Sequence, residues 1–391
     1  MTRRFAAAIA AGLLGLAAAA CGEQAAPDPT FHAETNPAAL ADWGQLVVRD
    51  GRLELAEGVT PYDLNTALFS DYALKLRTVW IPDGAAPAGW EDRESFDFPV
   101  GTVITKTFYY PRADGDFDEV ALSREAMAHF DGRSLDLSEV RLIETRVLVR
   151  RADGWDALPY VWDEAQRAAE LSRTGDFLEL SLVDMASGEA RALDYLVPNV
   201  NQCANCHETD TTAGGIRPIG PKARHLNRDF AYADGTANQL AFWREHGLLA
   251  GGPAPDAAAP RAAAWNGEAP ALLAETEGAL TDAARSYLDI NCAHCHSRTG
   301  PADTSGLYLE SWEPAGPNLG FCKPPIAAGR GTGGRVYGIV PGDADASILV
   351  HRMASDRADI MMPELGRSVA DREGVALVAA WIDAMAGGGC G

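Results

Sequence analysis

Positive charge is scarce in this chain: its 391 residues carry 33 lysines and arginines against 55 aspartates and glutamates, a formal net charge of −22. No basic run interrupts that acidity, so the chain repels a phosphate backbone and nucleic acid is excluded as an expected partner. Long apolar runs are missing too. The stretch from Phe5 to Ala20 is too short and too rich in alanine for a membrane-spanning helix. Neither an H-E-x-x-H pattern nor a Ser/His/Asp nucleophile motif occurs, and there is no short-period repeat. Methionine is absent between Ala186 and Arg352, which removes local thioether sulfur from the middle of the chain. What is present fits a folding chain: 47% hydrophobic and 23% charged residues, in a length suited to roughly two or three domains of about 100–200 residues each.

Arg3 and Arg4 before the apolar stretch supply the charged n-region and short h-region of a secretory signal. The run Leu16-Ala17-Ala18-Ala19-Ala20-Cys21-Gly22 then resembles the cleavage box of bacterial lipoproteins, whose cysteine is lipidated, with Ala18 where that box usually has leucine. Residues 1–20 are therefore expected to be a signal peptide and Cys21 the lipidated residue. Ordinary cleavage nearby, with Cys21 a bystander, is the competing reading. Gly22 in place of aspartate resembles the outer-membrane sorting of such lipoproteins. The expected location is the bacterial cell envelope, lipid-anchored at the outer membrane and facing the periplasm or the cell surface. Residues 21–42, rich in Ala, Pro and polar residues, read as a flexible tether.

From 43 to 200 the pattern is that of strands. Ile143, Thr145, Val147 and Val149 alternate with Glu144, Arg146, Leu148 and Arg150, a period of two that predicts a half-buried strand. Thr102 to Tyr110 is dense in β-branched and aromatic residues, and Asp153-Gly154 marks a hairpin between two such runs. An all-β domain, arranged as a sandwich, is expected here. After Val200 helical spacing takes over: Leu240, Trp243 and Leu248, then Ala283, Ala284, Tyr287 and Leu288, and finally Val375, Val378, Trp381, Ile382 and Met385. The expected fold class is α+β multidomain: the β-rich domain, a mainly helical segment over 201–250, an Ala/Pro-rich linker over 251–275, and a second mainly helical domain over 276–391.

The chemistry is written twice. Cys203-Ala204-Asn205-Cys206-His207 and Cys292-Ala293-His294-Cys295-His296 both read C-x-x-C-H, the attachment signature of c-type haem. Two thiols at that spacing reach the two vinyl groups of one haem, while the adjacent histidine turns its imidazole to the iron; the opposite axial ligand then tunes the potential. Two haem c groups are therefore the expected cofactors, held by Cys203, Cys206, Cys292 and Cys295 with His207 and His296 as proximal ligands. A shared zinc site would need two pairs that are far apart in sequence and each followed by its own histidine. Redox dithiols would be expected inside a βαβ pattern, which is missing.

With these motifs on hand, Thr281 to Met385 resembles a small class I cytochrome c domain: a helix into the second motif, a loop with Met361-Met362-Pro363, and a closing amphipathic helix. That resemblance implies Met362 as the distal sulfur ligand of the second haem, with Met361 and Met353 as neighbouring alternatives. On Pro61-Tyr62-Asp63-Leu64-Asn65-Thr66, Leu68-Phe69-Ser70-Asp71-Tyr72, Phe96 to Thr102 and Tyr195 to Asn199, the mature chain also resembles a family of bacterial di-haem cytochrome c lipoproteins. This implies electron transfer and carries over no catalytic residue.

The distal ligand of the first haem stays open between His225, His246, Lys222, Met127, Met185, His129, His351 and no protein ligand at all. His225 is the first choice. Gly329 to Gly334 fits G-x-G-x-x-G but lacks the strand before and the helix after, so it is read as a glycine-rich loop whose Arg330 or Arg335 faces a haem propionate or solvent. Asp114 to Asp118 fails as a calcium loop because Glu119 stands where glycine is needed. Once lipid and haem take five of the seven cysteines, Cys322 and Cys390 remain, as a disulfide that an oxidising compartment permits or as two free thiols. The function expected is relay of single electrons between a redox donor and an acceptor, each with a basic docking face. The alternative is a peroxidase-like di-haem enzyme with one open iron.

Overall fold

Period-two alternation builds the centre of the molecule. In the computed structural model, which describes residues 28–253, 258–386 and 389–390, six antiparallel strands form one sheet in the spatial order Ala169–Leu171, Gly154–Trp162, Val140–Arg151, Val103–Pro111, Leu74–Trp80, Thr60–Tyr62. Leu74, Leu76, Val103, Val147, Val149 and Leu158 fall on one face and bury against a small sheet made of Leu46–Arg49, Arg52–Leu55 and Ser134–Asp136. The other face is buried as well. Phe108, Tyr110 and Ile143 pack under Leu180, Leu182, Leu193 and Tyr195 of a third sheet, made of Ala190–Val197, Asp176–Val183 and Glu119–Ala121. Further along that face Val79, Ile104 and Leu148 meet Ile219, Leu226, Leu240 and Trp243. The strand expected to be half-buried is therefore covered on both sides, and Glu144, on its charged side, has no exposed surface. Alternation marks two unlike faces; it does not say that the polar one meets water.

The expectation of two mainly helical cytochrome c segments is overturned. The described residues hold sixteen strands in five sheets against seven short helices, the longest of thirteen residues. In 201–250, Pro218, Pro221 and the glycines between the motif and Lys222 stop helices within a turn or two. The chain there instead forms the hairpin Asp229–Tyr232 with Gly235–Asn238, and Leu249–Ala250 pairs with Ala88–Gly89. Beyond the second motif, three 3-10 turns bridge to the helices Ile348–Ala354 and Arg372–Asp383. The closing helix packs on Ala279–Asn291, with Leu377, Val378, Trp381 and Ile382 on Ala284, Tyr287 and Leu288. Gly374 admits this contact, since a Cβ there would stand 2.5 Å from the Tyr287 ring and hydroxyl.

The two stretches read as tether and linker are docked where they are described. Arg151 Nη2 donates to Thr35 O at 2.8 Å and to Asn36 Oδ1 at 2.7 Å, and Leu40 is buried. Trp265, Ala259 and Ala262 are buried too, and Ala262 N donates to Arg224 O at 2.8 Å. Cys21, the leader 1–20 and residues 21–27 lie outside the described residues. Among those described, no helix is long and apolar enough to cross a membrane.

Candidate functional site

The first C-x-x-C-H closes a two-turn helix, Val200–His207, that begins directly after Pro198 ends the preceding strand. Its start is fixed by a capping box: Asn199 Oδ1 accepts from Asn201 N and Gln202 N at 3.0 Å each, and Gln202 Oε1 accepts from Asn199 N at 2.9 Å. The helix directs Cys203, Cys206 and His207 into a cleft with about 1320 Å³ of atom-free space, counted out to its mouth. His207 Nδ1 donates to the Arg217 carbonyl at 2.8 Å, so Nε2 carries the lone pair. Burial, reinforced by Lys106, pushes this imidazole down to about 3 and keeps it neutral, as a metal-ligating nitrogen must be. Facing the motif is the polar side of the main sheet, with Lys75, Arg77, Lys106 and Arg146 lining the cleft.

The second motif follows the helix Ala279–Asn291. Asn291 ties its end to the chain around Phe69, accepting from Phe69 N at 2.7 Å and donating to Ala67 O at 3.3 Å. Cys292 lines a smaller cavity together with Met353, Met362, Pro363 and Arg367. Met362 is thus brought beside the motif, whereas Met361 is buried away from that cavity. His296 and Cys295 do not line it. Burial holds His296 down at about 4, and Ser305 Oγ lies 3.4 Å from its Nδ1.

The two motifs lie side by side. Phe69, Asn291 and Pro363 belong to the walls of both cavities. Cys295 Sγ donates to Asn205 O at 3.5 Å, Thr211 N to Thr299 O at 2.8 Å, and Thr299 Oγ1 to Thr209 O at 3.4 Å. Burial raises all four motif thiols, Cys292 and Cys295 to about 12. That is the opposite of the lowered thiol that drives a redox dithiol. Among the described residues no three His, Cys, Asp or Glu side chains converge as a metal-binding group, so the pairs do not combine into a zinc-type cage.

His225 does not reach the first cleft. Fully buried, it donates from Nε2 to Asp289 Oδ2 at 2.7 Å, and Arg224 grips both oxygens of the same carboxylate at 2.6 and 3.1 Å. Burial acts to raise Asp289, but Arg224 and His225 outweigh it and hold the carboxyl far below its usual range. Lys222 pairs with Glu94 at 3.6 Å, His129 with Glu139 at 2.9 Å, and exposed His246 stacks on Phe242. Neither these residues nor Met127, Met185 and His351 line the cleft. The imidazole that does is His294, 8% exposed, with no hydrogen-bond partner at Nδ1. Sequence reading passed over it as a spacer inside the second motif; the signal was a third histidine where any residue serves. Arg330 and Arg335 line neither cavity, and Arg335 donates to Asp345 O at 2.5 Å. Cys322 and Cys390 are joined as a disulfide, with Cα atoms 5.2 Å apart.

Comparison with protein-family models, with curated proteins and with solved structures yields no match to this chain.

Proposed function

We propose that the protein is an exported di-haem c-type cytochrome that relays single electrons between redox partners of the cell envelope. The observation that carries this reading is the juxtaposition of two C-x-x-C-H motifs across a common wall, the first of them opening a neutral imidazole into a cleft lined by Cys203 and Cys206. Cys203 and Cys206 would tether one haem and Cys292 and Cys295 the other, with His207 and His296 as proximal ligands. His294, rather than His225, is the second imidazole of the first cleft, and Met362, which shares the Cys292 cavity with Met353, is the distal sulfur we favour. When bound, the haems supply one-electron cycling of iron between its ferric and ferrous states.

The chain contributes the rest. The Arg217 carbonyl fixes the tautomer of His207, and burial keeps both proximal imidazoles unprotonated. Asn291, Phe69 and Pro363 hold the two sites against one another. The acidic surface favours a partner with a basic docking face. A lipid on Cys21 would confine the exchange to a membrane surface. A haem stain on a denaturing gel, with a pyridine haemochrome assay giving two haems per chain, is the expected result; a chain purified from a haem-attaching host without covalent haem refutes the reading.

A further inference from the structure

The polar face of the main sheet bears a charge arrangement that the chain alone does not balance. Arg77 lies directly across from Lys106, and Lys106 directly across from Arg146, in the registered strands Leu74–Trp80, Val103–Pro111 and Val140–Arg151. Lys75 joins them two residues before Arg77. Like charges opposite one another on a ladder are destabilising, and burying a cation without an anion costs more still. Two of the four are answered: Arg77 by Asp63 at 2.8 Å, and Arg146 by both oxygens of Glu144 at 2.5 and 2.8 Å. Among the described residues neither Lys75 nor Lys106 has a carboxylate at ion-pair distance. Their ammonium groups instead lie 5.6 and 5.0 Å from the centre of the Phe108 ring. Lys75 is only 4% exposed. Burial and the neighbouring cations push Lys75 far below its ordinary range and Lys106 down to about 7. Four basic side chains thus share one cleft wall, and the two lysines among them lack a carboxylate partner among the described residues, which leaves room for an anion from outside the chain.

We infer that this face is a clamp for a dianion, receiving the two propionate carboxylates of the haem tethered by Cys203 and Cys206, with Lys75 and Lys106 as their partners. The inference rests on the haem reading above and adds to it the orientation of the first haem: vinyl edge to the helix, carboxylate edge to the sheet.

The test uses the full chain carrying its haems, with Lys75→Met, Lys106→Met and Lys106→Arg compared against the parent. Haem content is measured first; a parent without covalent haem refutes the proposed function and takes the clamp with it. With two haems present, potentiometric titration should show the midpoint of one haem falling in each methionine variant. The loss of a positive charge near the iron favours the ferric state by about tenfold at fixed potential, about 59 mV for one electron. The other midpoint should hold, Lys106→Arg should keep the parent value, and the propionate bending bands of the affected haem should shift in resonance Raman spectra. If a methionine variant does not fold, Lys106→Gln, neutral and still a donor, is titrated in its place. Unmoved midpoints and unmoved propionate bands in folded, haem-loaded variants overturn the clamp and leave the di-haem reading standing.

Discussion

His294 lines the first cleft and His225 does not, and their surroundings differ accordingly. His225 spends its Nε2 hydrogen bond on Asp289, while the His294 side chain belongs to the wall of the cleft that holds His207. In the haem-loaded protein, His294→Ala should convert one low-spin haem to a high-spin form that binds carbon monoxide when reduced, leaving the other unchanged. An unaltered spectrum removes His294 from the coordination sphere. Asp71 illustrates a different tension. Its Oδ1 accepts from Ser368 N and Val369 N at 2.7 and 3.0 Å, yet burial raises the carboxyl from 3.8 to about 6. A carboxyl raised on folding stabilises fully below its unfolded value, and that contribution is lost as pH rises through its folded value. Asp71→Asn keeps an acceptor for both amides and tolerates the left-handed backbone there, φ 50°. Urea unfolding should find the variant equal to the parent near pH 3.5 and more stable by roughly 2–3 kcal/mol at pH 7. Equal stability at both pH values contradicts the assignment.

Elements were legible to different depths. The closing helix was readable because Val378, Trp381 and Ile382 are buried on one stripe with half-buried Val375 at its start, and the hairpin at Asp153-Gly154 because its strands alternate on both sides. The second layer over the main sheet was not. Lys75, Arg77, Lys106, Glu144 and Arg146 alternate with apolar residues just as solvent-facing positions do, and no local rule separates water from a lined cleft. The helical reading of 201–250 failed for a related reason: Leu240 and Trp243 do share a helix, Gln239–Glu245, but it starts at the Asn238 cap and ends before Gly247, whose backbone is left-handed at φ 71°, after seven residues. The helix of the first motif is also short, and its position depends on its cap. Asn199→Ala removes the side-chain acceptor for two amides and should lower stability by about 0.5–2 kcal/mol. Thermal unfolding of the haem-loaded protein measures it, and an unshifted midpoint would show that packing alone sets the helix start.

At the scale of the whole molecule, charge has two opposite distributions. The chain is acidic overall, while four of its cations are gathered inside, on the sheet face against the first motif. The exterior is left to steer partners. Reduction by a basic donor protein should slow steeply as ionic strength rises, because exposed charges are screened within about 10 Å at 0.1 M salt. Stopped-flow rates insensitive to salt would exclude electrostatic docking. Composition gives the acidic net charge; it had no means of showing where the minority charges collect.

The walls shared by the two cavities also bear on how the protein is made. The cleft around His207 takes residues from Tyr62 on one side of its motif and from His294, Pro363 and Gly366 on the other. A chain emerging from its amino end has the sheet face and the first cysteine pair long before the residues that close the cleft over them. Until His294 and Pro363 arrive, the first site is an open bay in a nearly finished β structure, reachable by whatever delivers a cofactor. On the di-haem reading proposed above, emergence of the second motif would begin to close the first, and attachment at Cys203 and Cys206 is expected before attachment at Cys292 and Cys295.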